Sequence, residues 1–202
     1  MKMRNSITSA ISSSVAVKER LLRDEKFIGR LLLAIDILIK TFRSDKRVYL
    51  CGNGGSAADA QHIAAEFSGK FYLDRKALPA EALHVNTSFL TAVANDYSYA
   101  NTFKRNIEAF GRKGDVLIGI STSGNSDNIV RAQKEARRRG MMVISMTGKT
   151  GGKLAKSCDI LLNVPSTDTP RIQESHILLG HIMAECVEQA LFGKRKNKKK
   201  SK

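Results

Sequence analysis

Hydrophobic positions along the chain fall into two textures. Five short, near-continuous apolar runs, at 48–51, 80–85, 116–120, 143–146 and 160–164, are separated by stretches in which apolar residues recur at helical spacing. Continuous runs rich in Val, Ile and Leu suit strands buried on both faces. Their alternation with helices predicts right-handed βαβ units, hence an α/β three-layer sandwich around a five-stranded parallel sheet. Ligands of such sheets bind beyond the carboxyl ends of the strands, near a topological switch point. The turns after Cys51 and Ile120 are therefore where chemistry is expected. Residues 5–44 predict two helices with a break around Asp24, Glu25 and Lys26. The second carries Phe27, Ile28, Leu31, Leu32, Leu33, Ile35, Leu38 and Ile39, apolar on more than one stripe, which points to subunit packing. A last helix is expected over 171–192, with Ile172, Ile177, Leu178, Ile182, Met183, Val187 and Leu191 at helical spacing.

Composition narrows the class. The chain has 202 residues, 42% of them hydrophobic and 26% charged, which fits one soluble domain over 1–193. No apolar run is long enough to span a bilayer, and the serine-rich start does not read as a signal peptide. Three widely spaced cysteines, Cys51, Cys158 and Cys186, make no disulfide framework, so a reducing cytoplasm is expected. The net charge is +15, but 194–202 hold seven basic residues and no acid, and without them it is +8. That tail is expected to be disordered, with weak salt-dependent adhesion to polyanions but no specific nucleic-acid partner.

Three segments carry chemistry. After the run ending at Cys51 come Gly52, Asn53, Gly54, Gly55 and Ser56, a turn of small residues opening a helix whose free N–H groups face the crevice. His62 and Glu66, four apart, share one face of that helix, a pair suited to proton transfer or metal binding and equally to a surface ion pair. After Ile120 come Ser121, Thr122, Ser123, Gly124, Asn125 and Ser126, ahead of a helix over 128–139 that Ser126 or Asn125 would cap. Hydroxyls beside a helix N-terminus form an anion cradle, and the lack of the P-loop and GxGxxG spacings favours the single phosphate of a sugar phosphate over a nucleotide. The third segment, 168–176, has Pro170 suited to a first helical turn, then Gln173, His176 and, further on, His181. Gln173 and His181 stand eight residues, or about 12 Å, apart, so either the first turn is distorted or facing subunits divide the work. His176 reads as a satisfied helix histidine. Asn95 and Asp96, ending another apolar stretch, suit helix capping or contact with substrate hydroxyls.

Together, CGNGGSAADAQHIAAEF, the Asn95–Asp96 pair, GDVLIGISTSGNS, TGKTGG and RIQESHILLGHI resemble the phosphoheptose isomerases of the sugar isomerase (SIS) fold, in order from about residue 5 to 192. The resemblance implies a flavodoxin-like sandwich, a homotetramer with active sites at subunit interfaces, and conversion of D-sedoheptulose 7-phosphate to D-glycero-D-manno-heptose 7-phosphate on the way to nucleotide-activated heptose for surface glycans. By the same resemblance Asn53, Gly54, Gly55, Ser56, Glu66, Asn95, Asp96 and Gln173 contact substrate, and Ser121, Thr122, Ser123 and Ser126 hold the phosphate. The resemblance also implies that His62, Glu66, Gln173 and His181 form a catalytic and zinc cluster, with one zinc per subunit. Lys70 stands where an arginine is common in the family.

A ketose–aldose isomerase moves a proton between adjacent carbons through an enediol. Glu66 is then the candidate base and His181 the acid partner, unless a metal on the cluster polarises the carbonyl instead. Two readings compete with catalysis: a non-catalytic SIS regulator that binds a replication initiator protein, and a SIS module that senses a sugar phosphate in a transcription factor. The presence of all four cluster residues favours the enzyme, and nothing in the chain resembles an appended helix-turn-helix.

Overall fold

The computed structural model describes residues 1–193, so the expectation for the basic tail at 194–202 lies outside the described residues. The elements are α1 (Lys2–Arg23), α2 (Glu25–Arg43), β1 (Val48–Cys51), α3 (Gly55–Ser68), β2 (Ala80–Ala82), α4 (Thr87–Asp96), α5 (Thr102–Phe110), β3 (Val116–Ser121), α6 (Asp127–Arg138), β4 (Met142–Thr147), β5 (Ile160–Asn163) and α7 (Thr169–Phe192), with short 3-10 turns at Tyr99–Asn101 and Leu154–Lys156. Asp24 alone breaks the first two helices, its carboxylate accepting from the Phe27 amide as the N-cap of α2. Pro170 sits in the first turn of α7, which begins two residues earlier than expected.

All five strands are parallel, in the order β2-β1-β3-β4-β5. The chain leaves β1 to one side for β2 and then returns past it to β3, so the switch point lies between the carboxyl ends of β1 and β3. Strand side chains alternate between two cores. Val48, Leu50, Val116, Ile118, Ile120, Ile144 and Met146 pack against α1, α2, α3 and α7. Tyr49, Cys51, Leu117 and Val143 pack against α5 and α6. The third layer explains why the strand runs read as continuously apolar.

The expected strand over 80–85 is shorter than its apolar run: β2 stops at Ala82. It is an edge strand, and after the Leu83 amide donates to the Leu50 carbonyl the chain turns away towards α4, whose N-cap is Asn86. Helix α2 buries Phe27, Leu31, Ala34, Ile35, Leu38 and Phe42 but leaves Leu32 and Leu33 more than half exposed. On α1, Met3, Ile7, Ile11 and Val15 are likewise exposed. Among the described residues no helix is long and apolar enough to cross a membrane.

His176 is fully buried in α7, its Nε2 3.1 Å from the Thr147 carbonyl at the end of β4, while its Nδ1 has no partner. The proton therefore sits on Nε2. Burial pushes its pKa down to about 4, against the upward pull of the Thr147 hydrogen bond. Between that value and the ordinary imidazole range the unfolded chain binds the extra proton and the native state does not, so stability falls as pH drops through the window. The loss between pH 7 and pH 5 is expected to be about 2 kcal/mol from this residue. Urea unfolding at the two pH values checks it: His176→Gln is expected to lower stability at pH 7 and to flatten the pH dependence.

Candidate active site

The turn after β1 is made possible by glycine. A Cβ on Gly52 would stand 2.1 Å from the Ser56 carbonyl oxygen, and Gly54 takes φ +55°. The chain can then enter α3 with Gly54 at the N-cap and no side chain hydrogen-bonded to the first amides. Asn53 is held in place by its neighbours: its amide exchanges two hydrogen bonds with Asn128 on α6, at 3.0 and 2.9 Å, and its Oδ1 also accepts from the Tyr99 hydroxyl at 3.0 Å. Asn128 and Tyr99 thus tie the two sides of the switch point together. Neither was singled out from sequence, because the pairing spans 75 residues.

The turn after β3 brings three hydroxyls together. Ser121 Oγ lies 3.0 Å from Ser126 Oγ and 3.4 Å from Ser123 Oγ. Ser126 is the N-cap of α6, which starts one residue before its expected position, but its hydroxyl faces Ser121 and does not cap the helix. The first amides of α6 therefore stay open to an anion. Thr122 anchors the loop from behind, its carbonyl accepting from the Gly148 amide. The TGKTGG turn closes on the same loop: Gly124, at φ +67°, packs its α-carbon against Gly151, and the Leu154 amide donates to the Gly124 carbonyl. Asn95 and Asp96 are exposed at the end of α4, where the Asn95 amide donates to the Asp96 carboxylate at 2.9 Å, so neither caps the backbone. The chain that follows them reaches Asn53 through Tyr99.

The third group lies further along α3. His62 Nε2 is 3.0 Å from Glu66 Oε1 and 3.4 Å from His181 Nε2 on α7. The His62 ring meets the His181 ring edge-on, with centroids 5.1 Å apart. A single proton on His62 Nε2 would have to serve both neighbours, whereas a cation would be served by three donors. Ligands about 2.0–2.1 Å from a tetrahedral zinc lie roughly 3.4 Å from one another; the two imidazole nitrogens stand at that spacing, and all three ligand atoms lie within 4.8 Å of one another. The donor set of two imidazoles and a carboxylate fits that ion.

Gln173 is not part of this group within the chain. Its carboxamide lies against Gly55, where a Cβ would stand 1.8 Å from its Nε2. That is the first turn of α3, seven residues and about 10 Å from His62. The first helical turn of α7 is regular, so a distorted turn does not bring Gln173 to His181.

Asp59, one turn before His62, is a residue the sequence reading passed over. Its Oδ2 is buried without a partner. Burial pushes its pKa up to about 6, opposed by the nearby His62. Lys70 is exposed in the loop after α3, at the opposite end of that helix from the serine loop.

Comparison with known proteins decides the family. The SIS domain model matches residues 13–148. The phosphoheptose isomerase of Clostridium acetobutylicum is 56% identical over 193 residues, covering 96% of this chain and 98% of its own length. That of Aneurinibacillus thermoaerophilus is 49% identical over 190 residues, covering 94% and 96%. The chain belongs to the SIS-domain phosphoheptose isomerases. Solved members of the family superpose closely: the Neisseria gonorrhoeae enzyme at 42% identity with a TM-score of 0.87, covering 93% of this chain and 99% of that one, and the Francisella tularensis enzyme at 34% with 0.88, covering 94% and 100%.

The shape of the serine loop rests on the close approach of Gly124 to Gly151. Gly124→Ala would combine a left-handed backbone with a Cβ 2.2 Å from the Gly151 carbonyl oxygen. The substitution is expected to lower stability by about 1–3 kcal/mol and to weaken protection of the protein by inorganic phosphate. Thermal unfolding with and without phosphate measures both effects.

Proposed function

We propose that this chain interconverts D-sedoheptulose 7-phosphate and D-glycero-D-manno-heptose 7-phosphate, a ketose–aldose isomerisation that feeds nucleotide-activated heptose for surface glycans. The observation that carries the reading is the convergence of His62, Glu66 and His181 where α3 packs on α7, two to three turns along α3 from the switch-point crevice beside the hydroxyl-lined anion cradle. The high identity to phosphoheptose isomerases over almost the whole chain supports it, and favours the enzyme over the non-catalytic regulator.

In this reading Ser121, Ser123 and Ser126, with the open amides of α6, hold the phosphate, and Thr122 supports the loop. Asn53, Gly54, Gly55 and Ser56, with Asn95, Asp96 and Gln173, contact the sugar. Glu66 takes a proton from C1 of the ketose and returns it to C2, while His181 carries a proton between the oxygens on C1 and C2. His62, by its contact with Glu66, fixes the carboxylate. In the alternative mode, a zinc ion held by His62, Glu66 and His181 would supply positive charge for the enediolate oxygens in place of the His181 proton, with Glu66 leaving the ion to act as base. Gln173 joins that set only if a second subunit presents it, and the exposed apolar faces of α1 and α2 suit a homotetramer with sites between subunits. The cytoplasm is the expected compartment.

Incubation of the metal-analysed protein with sedoheptulose 7-phosphate, followed by NMR, tests the reading. The manno-heptose 7-phosphate is expected to appear with exchange of solvent deuterium at C2, and a chelator is expected to slow turnover. Glu66→Gln is expected to lower kcat about 10²- to 10⁴-fold with the assembly intact. Absence of product from the folded, zinc-supplied protein would refute the proposed activity, and substantial turnover in Glu66→Gln would remove Glu66 as the base.

A further inference from the structure

The segment between α3 and β2 has no regular structure from Gly69 to Pro79, and much of its hydrogen bonding converges on one buried ion pair. Glu188 on α7 and Arg75 in the segment have side chains 1% and 2% exposed, with Arg75 Nε 2.9 Å from Glu188 Oε1. The Glu188 carboxylate also accepts from the amides of Phe71, Tyr72 and Leu73 at 3.0, 2.7 and 2.8 Å. Burial pushes this carboxyl up, and the three amides with Arg75 outweigh it, so Glu188 stays ionised below the usual carboxylate range.

Arg75 spends its remaining donors on the end of α3. Its guanidinium donates to the carbonyls of Glu66 at 2.8 Å, Phe67 at 2.8 Å and Gly69 at 3.0 Å, and to that of Lys76 at 3.1 Å. A cation on the last carbonyls of a helix satisfies acceptors that have no partner within the helix. One of those carbonyls belongs to Glu66. On the other side, the Phe71 backbone held by Glu188 places its ring 5.7 Å from the His181 ring. Glu188 itself follows His181 by seven residues, two turns on the same face of α7. One buried pair thus touches both candidate catalytic residues without reaching the reacting atoms: Glu66 through its backbone, His181 through the Phe71 ring.

We propose that Arg75 and Glu188 are positioning residues for the isomerisation, a clamp that fixes the end of α3 and the Phe71 ring so that the Glu66 carboxylate and the His181 imidazole keep their mutual geometry. The inference rests on the assignment of Glu66 and His181 to the catalytic machinery. A displacement of about 1 Å in such groups costs up to about 100-fold in rate.

The test uses the full chain. Glu188→Gln keeps the shape and one carbonyl acceptor but loses the charge that holds Arg75. Arg75→Lys keeps the charge but loses the fork that spans four carbonyls. Both are expected to lower kcat about 10- to 100-fold at temperatures well below their melting points, with KM within about twofold of the parent. Both are also expected to shift the His181 side-chain ¹H–¹⁵N resonances. Phe71→Leu, which leaves the ion pair in place, is expected to reproduce the His181 shift, and stands in if the other two fail to fold. A parent-like kcat in the folded clamp variants, with His181 resonances unmoved and only the melting temperature lowered, would overturn the inference and leave the pair a structural element. Glu66→Gln in the same assay separates the two ideas. Retained activity there refutes the catalytic assignment, whereas loss of activity there with parent-like clamp variants refutes only the clamp.

Discussion

The close approach of α3 and α7 is the contact on which the site depends. A Cβ on Gly180 would stand 2.4 Å from the Ile63 side chain, so the two helices meet at a distance only glycine allows. The helices run side by side in the same direction. Gln173 meets Gly55, Gly180 meets Ile63, His181 meets His62, and Glu188 meets the segment that follows α3. Each of these neighbours is set by one register. A slide of one residue along α7 would carry His181 about 1.5 Å along the axis and 100° around it, away from His62. The buried faces on either side of Gly180, with Ile172, Leu179 and Met183 packed into the core, make that slide costly.

The other end of α3 depends on a different constraint, the switch in strand order. Because β1 and β3 are neighbours whose connections leave in opposite directions, their carboxyl-end turns face one crevice. The reciprocal Asn53–Asn128 amide pair then locks the two turns to each other, and the packing of Gly124 on Gly151 locks the serine loop to the turn after β4. These are short-range, satisfied polar contacts in a place where loops would otherwise move. The anion cradle is therefore rigid before any ligand arrives, which keeps the ordering cost of binding low.

Much of this was legible in the sequence, for identifiable reasons. Central strands buried on both faces leave unbroken apolar runs, so β1, β3 and β4 were readable to within a residue or two, and β5, an edge strand, was readable because Ile160, Leu161 and Leu162 still form an apolar run. The edge strand β2 was not, because the apolar residues beyond Ala82 serve a turn and a flanking helix and not the ladder. His62 and Glu66 were readable because a helix turns spacing into proximity. Their meeting with His181 lies 119 residues away and rests on a packing register that no local pattern encodes. Resemblance to a family supplied it where spacing did not. The Arg75–Glu188 pair was invisible for the same reason, with 113 residues between partners and an unremarkable charge at each. The eight-residue gap between Gln173 and His181 left open a distorted first turn or a division of the work between facing subunits, and the helical first turn of α7 leaves the second.

The division of labour between the two ends of α3 has a physical logic for the proposed reaction. In that reaction the cradle would meet the phosphate with neutral hydroxyls and helix amides, and the phosphate does not change during isomerisation, so its contacts would bind substrate and transition state alike. Such uniform binding anchors the sugar without speeding the chemical step. Acceleration has to come from groups whose contacts strengthen as charge develops on the C1 and C2 oxygens, the role proposed for the His62 and His181 imidazoles and the Glu66 carboxylate further along α3 and α7. Geometry held to within a fraction of an ångström matters far more there than at the cradle. The buried ion pair and its amide donors stand at that end of α3, at the boundary of the group that must not move.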